Sequence, residues 1–291
     1  MSTQLTTADR RRGLLWFLLI SFGVTWAYLF GARLLLGWSL VNPLVQLPMG
    51  FTPAIAAFAV RRWITREGFA DAGLALRLRK AWWHYLVAWL APLGLAVASC
   101  VVAWASGLWE PDLSGLDELA PGIPWWGVIV ALQLLILVLT PVYFGEEFGW
   151  TGYLRLRIYP GRPVAATVAT GLIWAVWHFP LAFLGYAEYS NVALGLAVWT
   201  ISFLMQEIML SWLRIRSGTI WTAGLAHAGN NMVLSLLTAA LLTAGEGGTL
   251  DAIVVTVLMY VPMGALCVWI VLSGQLSARR TAARTPVDST A

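Results

Sequence analysis

Charge is what this 291-residue sequence has least of: Asp, Glu, Lys and Arg make up 11% of it, against 59% hydrophobic residues. That little charge cannot cover the surface of a water-soluble domain of this length, and a mean hydropathy of +0.75 points to a chain made mainly of bilayer-spanning segments. Cysteine is nearly absent. Cys100 and Cys267 both fall inside apolar runs, with no CxxC pair, zinc-ligand spacing or disulfide framework, so each reads as a small buried apolar residue. There is no GxSxG-type nucleophile stretch and no nucleotide-binding loop, which lowers serine-hydrolase and ATPase readings. There is no HExxH either, so any metal would have to be held by separate helices. The net charge of +4 comes from short basic clusters between apolar runs, with no continuous basic face, so nucleic acid is not expected as a partner.

Apolar runs and tryptophan are plentiful. Many of the 18 tryptophans lie near the ends of the runs, where interfacial anchors belong. Eight spans are expected, at Gly13–Ala32, Val41–Val60, Trp82–Gly107, Trp125–Trp150, Pro163–Gly185, Val192–Leu213, Thr219–Leu242 and Ala252–Ser273. The first is read as an anchor helix, not a cleaved signal peptide. The second carries Pro43, Pro48 and Pro53 and is expected to be kinked or partly broken, shielded by its neighbours. With eight spans, every Lys and Arg except Arg33 falls on the side of the N-terminus, which the positive-inside rule makes cytoplasmic. The expected fold class is therefore an all-α polytopic membrane protein with both termini cytoplasmic, in the plasma membrane. A segment 1–12 would precede one membrane domain, 13–274, and residues 275–291 would form a disordered cytoplasmic tail.

Three stretches place polar groups inside spans. YFGEEFGWTGY brings Glu146 and Glu147, WAVWHFP brings His178 behind Trp174, and HAGNN brings His227 and Asn231 four residues apart on one helix face. Each has a plain alternative: interfacial pairing of the acids with Arg155 or Arg157, a packed histidine, and interhelical hydrogen bonding. A shared site would give all of them partners at once. Adjacent on a helix, Glu146 and Glu147 diverge by about 100°, so one can face a cavity while the other holds structure. Such a set can hydrolyse: a carboxylate and an imidazole activate water, and a second imidazole with an amide donates to an oxyanion. Alternatively Glu146, His178 and His227 would hold a divalent metal such as zinc with its water. Depth is a difficulty, because His178 lies about 22 Å along its helix whereas Glu146 sits near the end of its own. The two meet only if the fifth span tilts strongly or its first turns lie in the interface. Glu207, in the sixth span, is expected to bond to a neighbouring helix.

At these residues the chain resembles the CAAX prenyl protease and bacteriocin-processing (CPBP, or ABI) family of intramembrane endopeptidases. That family's pattern is EExxxR, then FxxxH, then HxxxN; here they stand as EEFGWT, WAVWH and HAGNN, within a motif core of 143–235. The resemblance implies that Glu146 and His178 activate water, that His227 and Asn231 stabilise the oxyanion or help bind a metal, and that Glu147 orients the site. It also implies membrane lipids and a membrane-associated or lipid-modified peptide as partners. Two positions depart. Trp174 replaces phenylalanine and keeps an aromatic wall, and Thr151 replaces the arginine, leaving Glu147 a hydroxyl contact in place of an ion pair unless Arg155 substitutes from one turn further on. The rivals are a non-catalytic immunity-type binder or scaffold, and a proton-coupled transporter using Glu146, Glu207 and His178.

Overall fold

The computed structural model describes residues 5–186, 191–243 and 250–277; the basic cluster Arg279, Arg280 and Arg284 and most of the expected tail lie outside them. Among the described residues all regular structure is helical, and eight helices are long and apolar enough to cross a membrane. They are α1 (Thr7–Leu35), α2 (Pro43–Ile64), α3 (Leu78–Ala105), α5 (Trp125–Ile158), α6 (Pro163–Phe183), α7 (Val192–Ser217), α8 (Ile220–Leu242) and α9 (Ala252–Leu272). A short helix, α4 (Ser114–Leu119), lies between α3 and α5. In the bundle α5 packs against α2 and α8, α6 against α7, and α1 against α2. Large apolar side chains such as Leu134 and Val138 on α5 stay exposed, as a lipid-facing surface requires.

The prolines of α2 do not break it. Pro43 occupies its first turn, where the missing N–H would be unpaired anyway, and the helix runs on through Pro48 and Pro53. Pro48 cannot donate to the carbonyl of Leu44 one turn before, and that carbonyl instead accepts the Tyr28 hydroxyl from α1. Shielding by a neighbour is therefore realised without a break.

Two glycines bring α5 against α2. A Cβ on Gly145 would sit 2.7 Å from the Gly50 carbonyl oxygen, and one on Gly149 only 2.3 Å from Pro53 Cβ. The acids thus lie inside a small-xxx-small pair, GEEFG, the spacing by which membrane helices approach backbone to backbone. Immediately afterwards α5 widens into a π-helical turn, Trp150–Leu154, and α8 does the same at Asn230–Ser235. Such turns are frequent at functional sites because they change which residues face inward.

The fourth span is longer than the sequence suggested. It runs to Ile158, and Arg155 and Arg157, expected in a loop, are buried within it. Arg155 Nε donates to Thr167 Oγ1 on α6 at 3.0 Å. Arg157 Nη2 pairs with Glu67 and Asp71 of the α2–α3 connector, both at 2.8 Å, and Asp71 also takes Arg61 Nη1 at 2.7 Å. Both guanidiniums also lie over the Tyr153 ring, each 5.3 Å from its centre. This network closes the end of the bundle where α5 stops. The extra turns also settle the depth problem. Glu146 is now about 18 Å from the end of α5 and His178 about 22 Å from the start of α6, so the two are level to about one helical turn.

Tryptophan plays two roles. Trp82, Trp83, Trp104, Trp125 and Trp126 are exposed near helix ends, as anchors are, but Trp150, Trp174 and Trp177 are fully buried. The Trp26 indole donates to the Trp177 carbonyl at 3.0 Å and the Trp177 indole to the Ser21 carbonyl at 3.1 Å, tying α1 to α6 in both directions.

Candidate active site

The two glutamates separate as adjacent helical positions must. Glu146 turns toward α6, where its Oε2 accepts the indole N–H of Trp174 at 2.7 Å and, more weakly, that of Trp150 at 3.4 Å. Glu147 turns toward α8, and its Oε1 lies 3.0 Å from His227 Nδ1. Its Oε2 accepts the Thr151 hydroxyl at 3.0 Å. The hydroxyl contact expected from Thr151 is present. Arg155 does not reach Glu147; besides Thr167 its charge faces Glu207. Its expected role as a stand-in for the missing arginine is thus corrected, because the π-helical turn after Glu147 turns the chain before residue 155.

His178 Nδ1 is 3.1 Å from the carbonyl of Trp174, one turn before it. A carbonyl only accepts, so Nδ1 carries the proton and Nε2 keeps its lone pair. The same logic applies to His227: with Nδ1–H donating to Glu147, Nε2 is left for other work. Trp174 joins the set, its ring lying 5.9 Å from that of His178 and 5.0 Å from that of His227 while its N–H holds Glu146. Groups from α5, α6 and α8 therefore meet around one indole. No direct bond links Glu146 to His178 among the described residues; the carboxylate that touches an imidazole is Glu147.

Asn231, half-buried in the π-helical turn of α8, lies beside the phenol of Tyr143, whose ring packs 4.6 Å from that of His227. Tyr143 is one turn before Glu146, so it shares that face. Tyr186, just beyond α6, lies close enough to feel the Glu146 charge. Burial first, and that charge second, push its phenol above the usual value, so it keeps its proton at neutral pH. Tyr143, Trp150 and Tyr186 were not singled out from the sequence. The spacing of Tyr143 and Trp150 from Glu146, three and four residues, was the available signal for the first two.

Glu207 is fully buried on α7. Its Oε1 accepts the Ser211 hydroxyl at 2.6 Å on its own helix, not from a neighbour as expected, while Arg155 of α5 supplies the opposite charge across the interface. Gly171 makes room there, since a Cβ on it would meet Glu207 Cβ at 3.2 Å. For the expected metal, among the described residues no three His, Cys, Asp or Glu side chains gather as a ligand set. No step below is routed through a metal.

Eight apolar helices around a buried cluster of acids, imidazoles and indoles define a multi-pass integral membrane protein with a polar interior site. Residues 125–233, which hold all three motifs, match the family model described as type II CAAX prenyl endopeptidase Rce1-like. That stretch is thus similar to the CAAX protease family that its motifs resemble, a peptidase family of membranes. No curated protein sequence matches it.

Proposed function

We propose that the chain is an intramembrane endopeptidase that hydrolyses peptide bonds of membrane-associated or lipid-modified peptides, with its termini in the cytoplasm. The observation that carries this is the convergence on Trp174 of Glu146, His178 and His227 from three helices. Water between Glu146 and His178 Nε2 loses a proton to this pair as its oxygen attacks the scissile carbonyl carbon. The developing oxyanion accepts from Asn231, from the Tyr143 phenol and from the Nε2–H of His227 in its doubly protonated form, whose Nδ1–H Glu147 holds. Collapse of the intermediate breaks the C–N bond, and the leaving nitrogen takes up the proton held by the base.

Purified protein in lipid nanodiscs, given a fluorogenic farnesylated CAAX peptide, should release the C-terminal tripeptide without added metal and in the presence of a chelator. Glu146→Gln should slow cleavage by about 10²–10⁴, the worth of general-base catalysis, while retaining peptide binding. Unchanged biological activity of Glu146→Gln would favour the binder. That second reading draws on Thr151, which leaves Glu147 with a neutral donor where the family has an arginine.

A further inference from the structure

Resting on that peptidase assignment, we propose that Trp174 is a positioning residue for Glu146. Its indole N–H, backed by that of Trp150, fixes carboxylate oxygen Oε2 and leaves Oε1 as the oxygen that meets water. The bond is 2.7 Å long, in the range of charge-assisted hydrogen bonds, and the donor belongs to a fully buried ring. That ring cannot swing away, because Phe203 of α7 meets it edge-on at 4.7 Å and 74°, and His227 does so at 5.0 Å and 80°. Trp150 is held likewise, edge-on to Phe17 at 5.7 Å and to Trp177 at 5.5 Å. The two donors come from different helices, so the carboxylate is fixed relative to both α5 and α6. Oε1 carries no hydrogen bond among the described residues and points toward Gly50 of α2, whose added Cβ would lie 3.9 Å from it.

A neutral donor suits a base better than a cation does. A guanidinium would also hold the carboxylate, but its full positive charge would favour the ionised form and lower its basicity. The groups facing Glu146 are Tyr143 and Glu147 on its own helix, His227 on α8 and Tyr186 beyond α6, with the indoles of Trp150 and Trp174; no Lys or Arg bonds it among the described residues. Phenylalanine at 174 would keep the wall and lose the donor, leaving Glu146 only the 3.4 Å contact from Trp150.

The test uses full-length protein with ¹⁵N-labelled indoles in nanodiscs. The Trp174 N–H resonance, assigned by its loss in Trp174→Phe, should lie downfield and move upfield in Glu146→Gln and further in Glu146→Leu. In the farnesylated-peptide assay Trp174→Phe should lower kcat about 10- to 100-fold, the worth of a hydrogen bond to a charged group, with KM within about twofold. An indole resonance that stays put in both Glu146 variants, or wild-type kcat in Trp174→Phe, overturns the proposal. If Trp174→Phe does not fold, selective labelling assigns the resonance and the Glu146 variants decide alone. Wild-type protein that cleaves nothing while the indole still responds to Glu146 overturns the peptidase assignment, and the catalytic role of Trp174 with it, yet leaves the hydrogen bond standing.

Discussion

Adding one methyl group at Gly149 should disable this protein, and the size of the effect follows from a single approach. The new Cβ would lie 2.3 Å from Pro53 Cβ and 2.9 Å from the Pro53 carbonyl carbon and oxygen. Carbon atoms rest at about 3.5–4.0 Å, so α5 and α2 would have to part by more than about 1 Å. Most of the obstacle is backbone and a rigid ring, so no rotamer change relieves it. Overpacking of this kind costs about 1–3 kcal/mol. Because the displaced segment carries Glu146 and Glu147, a shift of about 1 Å should also cost about 10²-fold in cleavage. The control is Gly23→Ala on α1, where an added Cβ meets nothing within 4 Å and the gain in helix propensity, about 0.5–1 kcal/mol, should leave Tm unchanged or raised. Thermal unfolding in one detergent, read for both variants beside wild type, checks the pair. A Gly149→Ala protein as stable and active as Gly23→Ala would refute the argument that the GEEFG approach sets the site.

The Asp71 carboxyl sits below its usual value in the fold: burial alone would raise it, but the charges of Arg61 and then Arg157 outweigh burial. A depressed folded value means its stabilisation is full above the unfolded value near pH 4 and is lost as pH falls through the folded one. Asp71→Asn should therefore lower Tm at pH 7, modestly because the side chain is half-exposed, and the gap to wild type should shrink as pH falls below the unfolded value; a gap constant with pH would refute it. Thr151→Val keeps shape but removes the hydroxyl from Glu147, a loss of about 1–3 kcal/mol in thermal unfolding, and a variant as stable as wild type would show the contact to be idle. If Asn231 acts through the Tyr143 phenol, Tyr143→Phe and Asn231→Ala should each lower kcat and the double variant little further, whereas additive losses would separate the two residues.

Hydropathy made the number of spans legible because lipid leaves the backbone no partner but itself, so each crossing is written as a long apolar run. The end of α5 was not legible, for a physical reason. Arg155 and Arg157 look like the basic residues that close a span, and only the fold supplies Thr167, Glu67 and Asp71 to receive them inside the bundle. The same holds for tryptophan. A position near an interface reads as an anchor, yet Trp150 lies at an expected span end and is fully buried, because α5 continues past it.

Within the site, contacts along one helix were readable and contacts between helices were not. Four-residue spacing placed Thr151 on Glu147, and the fold keeps it there. Which acid meets which histidine depends on how α5 is rotated against α6 and α8, and no local spacing encodes that rotation. Gly145 and Gly149 do bear on it: they turn one strip of α5 onto α2, which sends the residues between them outward to the opposite neighbours. Glu146 then has α6 within reach and Glu147 has α8, so the divergence of about 100° between adjacent residues becomes a division of labour. One acid is left to indole donors and the other to an imidazole and a hydroxyl. An arginine would satisfy Glu147 more strongly but would also compete with His227 for it. With threonine in its place one Glu147 oxygen is kept for His227, which fixes Nδ1–H on that side and leaves Nε2 to face the substrate, where it donates once protonated.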